Sequence, residues 1–108
     1  MADEELRLVL TTVATREEAL ALGRAMVEAR LAACAQVQAI DSIYRWQGAV
    51  RQEPEHRLLL KTTAARAPAL QASLHERHPY ALPAIVAVPV VDALAPFADW
   101  VAAETRPD

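Results

Sequence analysis

Ser42-Ile-Tyr-Arg-Trp-Gln-Gly48 is the stretch on which the fold turns. Tyr44 and Trp46 alternate with Ile43 and Arg45, the two-residue period of a strand, and Gly48 marks a reversal just after them. Two of the chain's five aromatic residues stand in this one strand, which points to a packed junction or the wall of a cleft. The strand extends back to Cys34. Its partner is expected over Arg57 to Thr63, joined through Gly48 and the polar run Arg51-Gln-Glu-Pro-Glu55. Pro54 belongs at an edge or in a loop, because it has no N–H to give to a ladder.

The flanks complete a βαββαβ order. Leu6 to Val13 reads as a strand with Leu6, Leu8 and Leu10 on one face and Val9 and Thr11 on the other. Thr15-Arg-Glu-Glu18 fits a capping box. The helix it opens is expected to run to about Ala32, with Leu22, Met26 and Ala29 as its core stripe. Gly23 weakens that helix by roughly 1 kcal/mol against alanine, a loss that close packing on the sheet would explain. A second helix begins near Pro68, packs through Leu70 and Leu74 and stops before Pro79. Ala84-Ile-Val-Ala-Val-Pro-Val-Val91 is the last long strand, with Pro89 at a bulge or an edge. A short helix opening at Pro96 carries Phe97, Trp100 and Val101 on one side. The 108 residues are read as a single α+β domain, 1–108, without repeats or linkers.

This pattern has more apolar surface than two helices can hide. Two helices cover one face of such a sheet, so the other face of a monomer should be polar. Here Ile85 to Val91 is apolar at both parities, and Leu58, Leu59 and Leu60 stand in a row. The C-terminal helix is too short to cover a four-stranded sheet, which leaves neighbouring copies of the chain to do so.

The chain resembles the CutA family of divalent-cation tolerance proteins, from Leu8-Val-Leu-Thr-Thr12 to Trp100. Leu31-Ala-Ala-Cys34, Ser42-Ile-Tyr-Arg-Trp46, Leu60-Lys-Thr-Thr63, His78-Pro-Tyr80, the Pro83-to-Pro89 strand and the aromatic C-terminal helix carry the resemblance, in order and near family spacing. It implies a ferredoxin-like fold, a tight homotrimer, and a role linked to copper and other divalent metals. The family's His-Pro-Tyr-Glu and the glutamate after its next proline appear here with Ala81 and Ala84, so carboxylates for a hard cation are missing. The family's tyrosine near the C-terminal helix is Phe97 here.

Composition narrows the function. A net charge of −3 argues against a nucleic-acid partner held by phosphate neutralisation. No apolar run is long enough for a membrane span, the acidic start is not expected to be a signal peptide, and the single cysteine excludes an internal disulfide. A cytoplasmic protein is expected. Catalysis is not: Ser42 and Ser73 lie in no nucleophile elbow, and two glycines cannot build a phosphate-cradling loop. An RNA-binding module of this order stacks bases on aromatics of its third strand, and Arg57-Leu-Leu-Leu-Lys-Thr-Thr63 has none.

The metal candidates are Cys34 and His78. Cys34 stands among Ala32, Ala33 and Ala35, either as a small buried filler or as a soft donor to Cu(I). One thiolate is no site unless a trimer gathers three copies. His78 precedes Pro79 at a helix end, where it serves as a cationic cap or as a metal ligand. His75-Glu-Arg-His78 is one residue short of the His-Glu-x-x-His zinc motif, and His75 and His56 read as exposed. Tyr44, Arg45, Trp46, Lys61, Tyr80 and Trp100 are interface residues, or they line a cleft between subunits where Lys61 and Arg45 would attract a small anion. The same surface would suit an unidentified protein partner. The cleft reading draws on a likeness in outline to the trimeric PII signalling proteins, and fold alone does not give function.

Overall fold

The computed structural model describes residues 4–107. Its elements run β1 (Leu6–Val13), α1 (Arg16–Glu28), β2 (Cys34–Trp46), β3 (Ala49–Thr63), α2 (Ala67–Arg77), β4 (Ile85–Pro89) and α3 (Ala95–Glu104). The four strands form one antiparallel sheet in the order β2-β3-β1-β4, the ferredoxin-like arrangement expected.

Register divides the residues between two faces, because directly paired residues point the same way. Val9 pairs with Leu60 and Ala87, Thr11 with Leu58 and Ile85, and Ala35 with Leu60. This face lies under α1 and α2, and Val9, Val13, Leu58, Leu60, Met26, Leu70 and Leu74 are all fully buried in one core cluster. On the other face Leu8 pairs with Lys61 and Val88, and Leu10 with Leu59 and Val86. Only its Leu6 end is covered, where Val101 of α3 packs with Leu6 and Ala33. Val86 and Val88 remain 54% and 42% exposed, so the second face is as apolar as expected and open within the chain.

Several boundaries differ from the sequence reading. Helix α1 ends at Glu28 instead of Ala32, and Ala29 is an exposed C-cap rather than a core residue. The chain turns back toward β2 through Arg30 at φ 60°, and the buried stripe is Ala19, Leu22, Gly23 and Met26. Arg30 is held in that left-handed position by its guanidinium, which donates to the carbonyls of Ala103 and Arg106. A Cβ on Gly23 would lie 3.0 Å from Ala35 Cβ and 3.1 Å from Leu58 Cδ1, so close helix–sheet packing does explain the glycine.

The largest correction concerns residues 49–55, which are strand and not connection. Gln47 (φ 50°) and Gly48 (φ 79°) make the reversal by themselves, a two-residue hairpin turn of the kind that matches strand twist. The polar run 51–55 then pairs with Ile40 to Tyr44 of β2. Strand β1 ends at the Val13–His56 pair, so residues 49–55 of β3 have no neighbour on that side. Pro54 therefore sits at an edge after all. Strand β4 is shorter than Ala84–Val91, because its partner β1 begins at Leu6 and the last backbone bond is Val90 N–H to Leu6 O. No helix among the described residues is long and apolar enough to cross a membrane.

Candidate functional site

Pro79 is the residue that builds the site. It disfavours helical backbone at the position before it, and His78 is accordingly extended (φ −70°, ψ 136°) where α2 stops. That turn lays the His78 ring against β1. The backbone N–H of Tyr80 donates to His78 Nδ1 at 3.1 Å, so Nδ1 carries a lone pair and Nε2 the proton. Nε2 then donates to Thr11 Oγ1 at 2.9 Å. The imidazole is neutral. Burial lowers its affinity for a proton, and the Thr12 backbone and the charges of Glu18 and Glu55 offset this only in part, while His75 adds to the lowering. The cationic cap expected at this helix end is therefore replaced by a neutral ring that ties the following loop to β1.

Tyr80 continues the chain of contacts. Its ring centroid lies 5.0 Å from that of His78, and its hydroxyl donates to Glu55 Oε2 at 2.8 Å. Desolvation first, then the hydrogen bond and negative charge of Glu55, push its phenol well above the ordinary value of 10.0. Tyr44, on the same face of the hairpin as Glu53 and Glu55 by register, is also raised, by partial desolvation and then by Glu53 beside it. Tyr44, Glu53, Glu55 and Tyr80 thus make one ring-lined group along the hairpin, in which Arg51, across from Tyr44, offsets part of the negative charge.

The other candidates lie apart from it. Lys61 sits on the second face near α3, its Nζ 5.4 Å from the centre of the Phe97 ring, which in turn lies 5.7 Å from Trp100. Arg45 and Trp46 are exposed at the hairpin tip, on opposite faces, Arg45 across from Val50 and Trp46 across from Ala49. Cys34 is half-buried at the start of the outer strand β2, across from Lys61, and flanks an open groove against Leu20 and Val27 of α1. One chain does not bring Cys34 and His78 together, and His78 has both ring nitrogens engaged. Among the described residues no three His, Cys, Asp or Glu side chains converge as a metal site. Glu53, Glu55 and Thr11 were missed as site residues. The signal for the first two was present in the i, i+2 spacing of Glu53 and Glu55, hidden by reading 51–55 as a connection.

Residues 7–104 match the family of the CutA1 divalent ion tolerance protein. The chain belongs to that family. A divalent-cation tolerance protein CutA from Thermus thermophilus is 42% identical over 99 residues, spanning 91% of this chain and 96% of its own. The structure of CutA from Synechococcus elongatus shares the fold with a TM-score of 0.92 at 42% identity, covering 98% of this chain and 95% of that one. A second structure of the Synechococcus elongatus protein, complexed with a Bis-Tris molecule, gives 0.87, covering 93% of each chain. The family supports a role in divalent-cation tolerance.

Proposed function

We propose that this protein serves divalent-cation tolerance without catalysis, as a cytoplasmic homotrimer whose subunit boundaries hold copper or another divalent ion weakly. The observation that carries this reading is the open apolar face at Leu10, Leu59, Val86 and Val88, which the chain's own helices leave uncovered. A surface of that kind is rare on a lone soluble chain. The strand Cys34–Trp46 has a free outer edge, and pairing it between chains in a closed ring would consume that edge as well. Copper is then drawn to the Cys34 thiolate, with donors from more than one subunit completing the site. His78 serves as a ligand through Nδ1 only by giving up its bond to the Tyr80 N–H. Light scattering on dilute protein, with copper calorimetry on the wild type, Cys34→Ala and His78→Ala, tests the proposal. A trimeric mass and weakened binding in Cys34→Ala are expected; a stable monomer, or binding unchanged in both variants, overturns it.

The second reading is a trimeric sensor or scaffold that holds a small molecule or a partner protein at the subunit boundaries. The Tyr44–Tyr80 group favours it, as does the Bis-Tris bound by the Synechococcus elongatus relative. Glu53 and Glu55 make that end suited to an amine, whereas the Lys61–Phe97–Trp100 end suits a small anion. A thermal-shift series with metals, Bis-Tris and nucleotides separates the two readings, since a ligand at a hundred times its Kd stabilises by about 2.7 kcal/mol.

A further inference from the structure

We propose that residues 78–83 are a strap that fixes the root of the β2–β3 arm, with His78 as its pin and the Tyr80–Glu55 hydrogen bond as its clasp. The inference goes beyond the metal and ligand readings and needs neither.

Three observations place the strap. Strand β3 loses its β1 neighbour after the Val13–His56 pair, so Glu55 is the first residue of an arm that β2 alone supports. The Tyr80 hydroxyl reaches that residue, at 2.8 Å. The backbone N–H of the same tyrosine is held by His78 Nδ1, while His78 Nε2 is anchored to Thr11, two residues before the end of β1. The chain Thr11–His78–Tyr80–Glu55 therefore spans the end of β1 and ties the free arm to the strand that stops short of it.

The termination of α2 makes this geometry possible. Pro79 keeps the helix from continuing, and the extended backbone at His78 turns its ring inward while Tyr80 runs on toward the arm. The rings of His78 and Tyr80 lie 5.0 Å apart at 55°, which limits the positions the phenol can take. The clasp joins a phenol to a carboxylate, the stronger kind of hydrogen bond, and favours the closed strap by about ten- to a hundredfold. Within one chain, once the clasp is open, arm and strap are held only by their own ladders and turns, and they loosen together.

Amide hydrogen exchange on the assembled protein tests the strap. Tyr80→Phe keeps the ring and removes the clasp. Exchange is expected to quicken about tenfold or more at residues 79–83 and at residues 49–55 together, with residues 57–62 unchanged. Glu55→Ala is expected to behave like Tyr80→Phe, and Glu55→Gln, which keeps an acceptor but loses its charge, to fall between wild type and Glu55→Ala. His78→Asn, whose short amide retains an acceptor near the Tyr80 N–H, is expected to protect the strap better than His78→Ala. Unchanged exchange at 49–55 in Tyr80→Phe overturns the proposal. So does a uniform rise that includes 57–62, because that would mark general destabilisation instead of a strap.

Discussion

Both faces of the sheet carry apolar rows, and the rows meet opposite fates. On one, Val9, Leu58 and Leu60 are fully buried under α1 and α2; on the other, Leu10 and Leu59 lie in a row that ends at a half-exposed Val86. Leu59 stands between two of the most buried residues in the protein and differs from them only in the direction it points. Apolar sequence thus decides that a face must be covered, while the length and placement of helices decide by whom. Helices α1 and α2, at 13 and 11 residues, span the first face, whereas α3 at 10 residues reaches only the Leu6 end of the second.

The sharpest way to break the comparison is to remove a large side chain from each face. Leu60→Ala is expected to cost about 2–5 kcal/mol as a core cavity, whatever the protein concentration. Trp46, 44% exposed at the hairpin tip, loses nothing comparable inside one chain. If the second face and the arm are covered by other copies, Trp46→Ala approaches about 3–5 kcal/mol and shifts the protein toward smaller species. Chemical denaturation at several protein concentrations, with light scattering, distinguishes the outcomes. An effect of Trp46→Ala below about 0.5 kcal/mol with unchanged mass would remove the arm from the interface. Val88→Glu asks the same of the face itself: a carboxylate placed there is tolerated by a monomer and is expected to dissociate an assembly that buries it.

A smaller effect of opposite logic is expected on the covered face. Gly23→Ala would ordinarily strengthen a helix by roughly 1 kcal/mol. Here the new methyl meets Ala35 Cβ at 3.0 Å and Leu58 Cδ1 at 3.1 Å, and overpacking costs about 1–3 kcal/mol. The net expectation is destabilisation of about 1 kcal/mol, read from the denaturation midpoint. A stabilised variant would mean that helix and sheet can move apart freely and that the covered face is less tightly packed than its burial implies.

The sequence made the covered face legible and left the site half-read, for physical reasons. The capping box at Thr15 and Glu18, the buried Leu70 and Leu74 and the strand parity of β1 all follow from periodicities that burial imposes. Residues 51–55 gave no such signal, because the arm is exposed on both sides and its polar sequence looks like a connection. Its strand character comes from pairing with β2 and from a two-residue turn. The partners of Tyr80 were hidden by the same misreading, since Glu55 acquires its place only once 49–55 is extended. His78 was read from its position at a helix end, but the acceptor role of its Nδ1 depends on a backbone N–H two residues later, which no pattern of side chains reveals.

The last difference between the regions is in how they answer to pH, and it is the gentlest. Leu10, Leu59 and Val86 carry no titratable group, whereas His78 and Tyr80 close the end of β1. His78 binds a proton less readily when folded than its ordinary value of 6.5 implies, chiefly through burial. As pH falls below about 6.5 the unfolded chain therefore takes up a proton that the folded chain refuses, and stability declines with it. Tyr80 works at the other end. Its phenol is raised when folded, so above about pH 10 the unfolded chain releases a proton that the folded chain retains, and stability again declines. The strap thus contributes most between those limits. Denaturation midpoints measured near pH 5.5, 8 and 10.5 are expected to fall at both extremes in the wild type. His78→Asn is expected to flatten the acid limb alone, and Tyr80→Phe the alkaline limb alone. An acid limb that survives His78→Asn unchanged would assign it to carboxylates elsewhere and leave the neutral imidazole without a measurable part in stability.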